Sequence, residues 1–275
     1  MPVESLQQPQ VNYNESPVKQ LLKRYEHAKQ IKDQWNGTFE ECYEYALPQR
    51  ESFYTETPGR RRTDRIFDET AVVGVQEFAS RLQAGIVPNY ARWADFIAGT
   101  EIPKEAEKEV NLMLDEVTDY IFEIIQNSNF SQEIHESFLD IALGTGVLLV
   151  EEGNATNPIN FKAVPLPHVC MTSGHDDKVD HIFRRRMIKM SELPIAYPKG
   201  IFDEKLMTEM GKNPDKECEI IEIVYRNYYN TKEEEYHFCA ITKEFEIKIY
   251  EEVFKGIGSN PYIVYRWSKC AGEVY

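Results

Sequence analysis

The spacing of apolar residues changes near the middle of the chain, and this change limits the possible folds more than any other feature. Up to about residue 143, apolar side chains recur every three or four positions, which is the period of an amphipathic helix. From residue 144 onwards, short runs of β-branched and aromatic residues alternate with turn residues, as in strands. The sequence therefore predicts an α+β fold, in which a helical N-terminal half packs with an antiparallel, meander-like β region.

Caps, prolines and glycines predict the limits of the individual elements. Four long helices are expected at 16–48, 68–86, 103–124 and 129–143, and a short one near 203–210. Strands are expected at 146–152, 161–166, 181–188, 219–229, 234–241, 244–250 and 262–267. In the third helix we expect one stripe of apolar side chains to be buried: Ala106, Val110, Met113, Val117, Ile121 and Ile124.

Three parts of the chain follow from this pattern. Residues 1–15 are polar and predict a flexible arm, residues 16–143 form the helical part, and residues 144–275 form the β-rich part. The chain stops directly after its last expected strand, so we expect further structure beyond Tyr275.

The composition excludes several classes of protein. The 275 residues carry a formal net charge of −15, which opposes tight binding to nucleic acid phosphates. The apolar runs are too short to span a bilayer, so no membrane partner is expected. Five scattered cysteines without a C-x-x-C pair favour reduced thiols over a disulfide framework.

Arginines concentrate in two places despite the acidic balance. Arg60, Arg61, Arg62 and Arg65 fall within six positions just before the second helix. On an expected strand, Arg184 and Arg186 share one face because strand side chains alternate. A planar guanidinium suits both carboxylates and phosphates, so these six residues are candidate contacts either to a neighbouring subunit or to DNA.

Motifs for catalysis are weak. The Gly-Thr-Gly of 144–146 lies after a helix and before a strand, the reverse of a phosphate-binding loop. The stretch 168–181 holds His168, Cys170, His175 and His181 with three aspartates, but its spacing fits no zinc site, and a hairpin turn is favoured. We therefore expect no catalytic residue, no metal and no cofactor, and predict that the protein is not an enzyme.

The order of motifs resembles the head-to-tail connector, or portal protein, of short-tailed bacteriophages. The segment IFDETAVVGVQEFASRLQAGIVPNYARWADF (66–96) is followed by LGTGVLLVEEG (143–153), FKAVPLPHVCM (161–171) and YIVYRWSKCAGEVY (262–275). The matching positions to which we assign structural roles are Asp68, Thr70, Gly85, Pro88, Trp93, Gly144, Gly146, Arg266 and Trp267. The segment departs from the family pattern at Gln83-Ala84-Gly85 and in having a single proline, Pro88.

The resemblance implies a structural protein that forms a ring, expected to be twelve-fold, at one vertex of a phage capsid. Residues 16–275 then correspond to the wing, and the stem, clip and crown lie largely beyond Tyr275. The implied partners are the major capsid and scaffolding proteins, terminase, tail adaptor proteins and double-stranded DNA passing through the channel. The implied location is the virion, after assembly in the host cytoplasm.

Two other functions remain open on the residues alone. One is an acidic α+β adaptor that binds protein partners through its tyrosine-rich surface. The other, more weakly supported, is a metal-dependent phosphohydrolase that uses His175, Asp176 and Asp177.

Overall fold

The computed structural model describes residues 16–50, 53, 66–174, 178–230, 233–268 and 274–275. The helices are α1 (Pro17–Ala46), α2 (Thr70–Ile86), α3 (Lys104–Gln126), α4 (Phe130–Ile141), α5 (Leu193–Ala196) and α6 (Glu204–Lys212). The strands are β1 (Thr145–Glu152), β2 (Ile159–Ala163), β3 (Val169–Ser173), β4 (Val179–Lys189), β5 (Glu217–Arg226), β6 (Glu235–Thr242), β7 (Ile247–Lys255) and β8 (Tyr262–Arg266). The predicted α+β class is confirmed, with helices first and strands after residue 144.

The strands form two antiparallel sheets. Strands β3 to β7 lie side by side in chain order, which is the predicted meander. The second sheet has the order β2-β1-β8, so that β8 returns to pair with β1. Strand β3 was not among the expected strands, and α5 was not expected either.

The described residues group into two compact units. Unit 1 comprises the described parts of Met1–Gly37, His168–Asn260 and Cys270–Tyr275, and unit 2 those of Thr38–Pro167 and Pro261–Lys269. Helix α1 contributes its first part to unit 1 and its last part to unit 2. The assignment of 16–143 and 144–275 to two parts of a wing remains a prediction.

The core of unit 1 lies on both faces of the five-stranded sheet. Tyr25 of α1 packs near Phe183 with ring centroids 6.0 Å apart, and Ile221 of β5 belongs to the same cluster. On the other face, Ile220 of β5 packs in a cluster with Leu206 of α6. Adjacent β5 residues thus serve opposite cores, as expected for a central strand that is covered on both sides.

The core of unit 2 joins α4 to its neighbours. Asn129 fixes β2 by donating to the carbonyl of Phe161 at 2.7 Å and accepting from its N–H at 3.0 Å. The buried Asp140 accepts a hydrogen bond from the hydroxyl of Tyr43 at 3.0 Å. Burial raises the pKa of Asp140 to about 6, although Arg50 opposes that shift. Helix α4 is therefore held by polar as well as apolar contacts.

Candidate assembly surface

Arg184 and Arg186 on β4 already have a carboxylate partner inside the chain. Arg184 is 7% exposed, with Nη1 3.4 Å from one oxygen of Glu222. Arg186 Nη1 lies 2.7 Å from the other oxygen, and the hydroxyl of Tyr197 donates to Glu222 at 2.7 Å. Burial alone would raise the pKa of Glu222, but the two guanidinium groups hold it below its ordinary value. Contacts of these arginines with a neighbour or with DNA remain a prediction.

The intervening Arg185 points to the opposite face of the sheet. Its Nε lies 3.0 Å from Glu219, and its side chain is 38% exposed. The three consecutive arginines of β4 thus alternate as the period of a strand requires.

The run Arg60–Arg65 lies outside the described residues, and the description resumes at Ile66. Just beyond it, Asp68 accepts from the backbone N–H of Thr70 at 2.7 Å and also from its hydroxyl. These two hydrogen bonds lower the pKa of Asp68. The carboxylate therefore caps the start of α2, although Glu69 occupies the N-cap position itself.

The motif residue Trp93 anchors the segment of residues 87–102, which contains no helix or strand, to two helices. Its ring stacks on Phe130 of α4, with centroids 6.1 Å apart, and meets Phe122 of α3 edge-on at 5.2 Å. Pro88 directly follows Val87, the C-cap of α2. The proline favours a break after the helix, and the indole then directs the chain along α3.

Polar contacts hold the same segment against α3. The backbone N–H of Ala98 donates to the Asn111 side chain at 2.7 Å. Arg92 donates to Asp115 at 2.8 Å and to Asp119 at 2.7 Å. One face of α3 is therefore covered by residues of its own chain.

A shallow groove of about 860 Å³ runs between this segment and α3. Its apolar wall includes Phe96, Ile97 and Leu112, all more than half exposed. Lys104 and Lys108 lie at the same groove. Apolar side chains rimmed by charges are typical of surfaces that bind other proteins.

The outward face of α3 contradicts the sequence expectation. Met113 is 63% exposed and Val117 is 47% exposed, whereas both were expected to be buried. The buried residues of α3 are Thr118 and Phe122. The expectation is wrong for the middle of the stripe because segment 87–102 covers the other side of the helix.

A second groove, of about 400 Å³, lies beside α2. The motif residue Trp267 is 66% exposed there and meets Phe78 edge-on, with centroids 5.5 Å apart. Gly74 lines the groove, and Gly85 lies further along the helix. A Cβ atom on either glycine would meet nothing within 4 Å. Packing inside the described part of the chain therefore requires neither glycine.

Packing accounts for both motif glycines, Gly144 between α4 and β1 and Gly146 near the start of β1. A Cβ on Gly146 would lie 2.7 Å from the ring of Tyr265, and one on Gly144 would lie 3.1 Å from the ring of Phe39. Arg266 ends β8, which pairs with β1 at this junction. Close packing explains the Gly-Thr-Gly motif without a phosphate.

The chemistry of the histidine-rich stretch is limited. No group of three or more His, Cys, Asp or Glu residues that could hold a metal ion occurs in the described ranges. His175, Asp176 and Asp177 lie outside those ranges. Cys170 is buried, and burial raises the pKa of its thiol. His168 lies in a short 3-10 turn before β3, and His181 lies on β4.

Among the described helices, none has the length and apolar character needed to cross a bilayer.

Sequence reasoning missed both grooves because each depends on tertiary packing: the first forms where residues 92–97 fold back along α3, and the second joins α2 to Trp267, which is distant in the chain. One signal was present: acidic residues recur every seven positions beside the apolar stripe of α3, at Glu109, Glu116 and Glu123. Such a row is common where a helix packs against a partner from another chain.

Comparison with known proteins gives two findings. A family model described as "Bacteriophage head to tail connecting protein" matches residues 18–275. A protein named "Probable portal protein", from Bordetella phage BPP-1, is 26% identical over 192 residues, which are 66% of this chain and 33% of that protein. The chain thus corresponds to about a third of this relative's length.

Proposed function

The chain belongs to the family of bacteriophage head-to-tail connecting proteins, and from that membership we propose that it is the wing-bearing part of a portal ring at one capsid vertex. The observation that carries the proposal is the family match, which covers residues 18–275. The portal name of the phage relative supports it.

In this proposal the protein is structural and not an enzyme. A ring of about twelve copies surrounds a channel. The copy number is taken from the resemblance to the family, and it is compatible with closure of a cyclic ring. Terminase drives double-stranded DNA inward through the channel, and the DNA later leaves through the tail. Capsid and scaffolding proteins and tail adaptors contact the outside of the ring. The protein assembles in the host cytoplasm and ends in the virion.

The charge of the chain supports a conduit. A formal net charge of −15 disfavours tight phosphate binding, so DNA slides past without being held. Arginines on such a chain serve better in contacts between protein subunits. We assign Arg60, Arg61 and Arg62 to the contact with a neighbouring copy, and expect their joint replacement by alanine to weaken ring assembly.

Electron microscopy of the purified full-length protein tests the proposed function, together with its intact mass. We expect rings around a central channel and a mass above the 32.1 kDa of these 275 residues. Discrete monomers or dimers with a mass of 32.1 kDa per chain would contradict the proposal and favour an adaptor.

A further inference from the structure

The outward face of α3 has the spacing of a coiled-coil seam. Six apolar or aromatic residues follow one another at alternating intervals of four and three: Ala106, Val110, Met113, Val117, Tyr120 and Ile124. This spacing places all six in one stripe, which is typical of a helix that packs lengthwise against another helix. We call this stripe the α3 seam.

The middle of the α3 seam is open within the described part of the chain. Met113 is 63% exposed, Val117 is 47% exposed and Tyr120 is 64% exposed. The side of α3 that its own chain covers is a different one, where Thr118 and Phe122 are buried. Helix α3 thus has one apolar side that packs in its own fold and a second apolar stripe that faces solvent.

A row of carboxylates lies along one edge of the α3 seam. Glu109, Glu116 and Glu123 are spaced seven residues apart, and all three are exposed. None of them forms an ion pair with another described residue. By contrast, Asp115 and Asp119 of the same helix are both paired with an arginine. The seam therefore presents apolar side chains beside three negative charges that the described chain does not neutralise.

The helices of a second copy do not match this surface. Helix α3 holds seven acidic residues and two lysines, so two seams placed face to face would repel each other. The first part of α1 is cationic, but its Tyr25 and Ala28 are buried in the core of unit 1, so its apolar stripe faces inward. On α2, Arg81 is already paired with Glu77. A partner of different sequence therefore suits the seam better than any of these three helices.

We propose that the α3 seam is the docking site for an amphipathic helix of another protein, one that carries lysines or arginines beside its own apolar stripe. The exposed middle of the seam packs against the apolar stripe of this partner helix, and the cations of the partner pair with the carboxylate row. From Ala106 to Ile124 the seam is about 27 Å long, so the partner helix contributes about five turns. This inference goes beyond the proposed function, since the contact requires no ring.

Two synthetic peptides test the charge of the partner. Both are about three heptads long and have leucine at the a and d positions; the basic peptide has lysine at e and g, and the acidic peptide has glutamate there. Fluorescence anisotropy with the full-length protein should show that the basic peptide binds at least tenfold more tightly at low salt. The difference should shrink at high salt, because ions screen the contact between the peptide and the carboxylate row.

Charge reversal of the carboxylate row should reverse this preference. In a protein that combines Glu109→Lys, Glu116→Lys and Glu123→Lys, the acidic peptide should bind more tightly than the basic one. All three side chains are exposed, and lysine is about as good a helix former as glutamate, so the melting temperature should change little.

The matched control makes the same change of charge away from α3. Glu41, Glu152 and Glu192 are also exposed, and their joint replacement by lysine alters the net charge by the same amount. This control should keep the preference for the basic peptide. An equal effect of the two triple variants would mean that the net charge of the protein, and not the row on α3, attracts the peptide.

A pair of glutamines tests the apolar part of the contact. Met113→Gln combined with Val117→Gln keeps a helix former at both exposed positions and removes the apolar side chains. The affinity for the basic peptide should fall at least tenfold, with little change in the melting temperature.

The outcomes distinguish this inference from the proposed function. Equal affinity for the two peptides, or binding of the basic peptide that survives the glutamine pair, would overturn the docking and leave the portal proposal intact. If the glutamine pair abolished rings and intact rings did not bind the basic peptide, a second copy would cover the seam, which would also overturn the docking. Absence of rings from the unchanged full-length protein would contradict the proposed function, whereas the peptide preference would still decide the docking.

Discussion

At the scale of single residues, the buried carboxylate of Glu222 in unit 1 is paired with two arginines. Glu222 is 3% exposed and forms ion pairs with both Arg184 and Arg186. On the other face of the sheet, Glu219 forms an ion pair with the more exposed Arg185. Removing one member of a buried ion pair leaves an uncompensated charge, but an exposed pair contributes little. The two glutamates therefore offer a matched comparison on one strand.

We expect Glu222→Gln to lower the free energy of unfolding by about 3 kcal/mol at neutral pH, because Arg184 then stays buried without its carboxylate. Glu219→Gln should cost less than about 1 kcal/mol. Urea denaturation followed by circular dichroism measures both. Equal losses for the two variants would show that burial of the pair does not set its contribution.

His181 makes stability depend on pH. Burial, reinforced by Arg24, lowers the pKa of His181 from 6.5 to about 4. Because the folded pKa lies below the unfolded one, the unfolded chain binds the extra proton between these values, and stability falls as pH drops from 6.5 to 4. We expect His181→Gln, which keeps an acceptor for Arg24, to remove this loss.

The measurement is urea unfolding of both proteins at several pH values. Relative to the unchanged protein, the free energy of unfolding of the variant should rise by about 3 kcal/mol as the pH falls through that window, and should not change with pH above it. A constant difference at every pH would mean that His181 does not titrate in this way.

At the scale of elements, two glycines differ in the space around them. One lies at a closely packed junction, and the other lies on a helix surface with no neighbouring atoms. Gly146 lies where α4 passes into β1, with the Tyr265 ring 2.7 Å from the position of a Cβ. Gly85 lies on α2 with nothing within 4 Å. The same substitution at the two sites should therefore have opposite effects.

Gly146→Ala should lower the free energy of unfolding by about 2 kcal/mol, because the added methyl displaces the Tyr265 ring. Gly85→Ala should raise it by up to about 1 kcal/mol through helix propensity. Thermal unfolding of each variant provides the measurement. A loss at Gly85 equal to that at Gly146 would indicate a crowded site at Gly85.

The periodicity of apolar residues predicted the helices and strands better than it predicted which of their faces are buried. The limits of α1 and the facing of Arg184 and Arg186 were predicted because both follow from local geometry. The covered face of α3 was not, since Trp93 and Phe122 meet only through the tertiary fold. Strand β3 was missed because prolines at 165 and 167 and the turn residues after it hide a short run. The groove at Trp267 depends on Phe78, which is distant in sequence.

At the scale of the whole molecule, net charge bears on whether the arginine run of residues 60–65 contacts DNA or a neighbouring copy. These 275 residues carry a net charge of −15, so DNA binding through Arg60, Arg61 and Arg62 would have to overcome the repulsion between DNA and the acidic residues of this part. Contacts between these arginines and carboxylates of a neighbouring copy would not have to overcome this electrostatic repulsion. The two roles predict different effects of the same substitutions.

We expect the full-length protein to bind duplex DNA more weakly than about 100 µM at near-physiological salt, measured by fluorescence anisotropy. If Arg60, Arg61 and Arg62 contact a neighbouring copy, as proposed, their replacement with alanine should leave the affinity for DNA unchanged while ring yield falls in electron micrographs. Replacing Lys205 and Lys212 of α6 instead removes positive charge elsewhere and should change neither quantity. If the triple variant kept its rings but lost a tight, salt-sensitive DNA affinity, the arginines would contact phosphates.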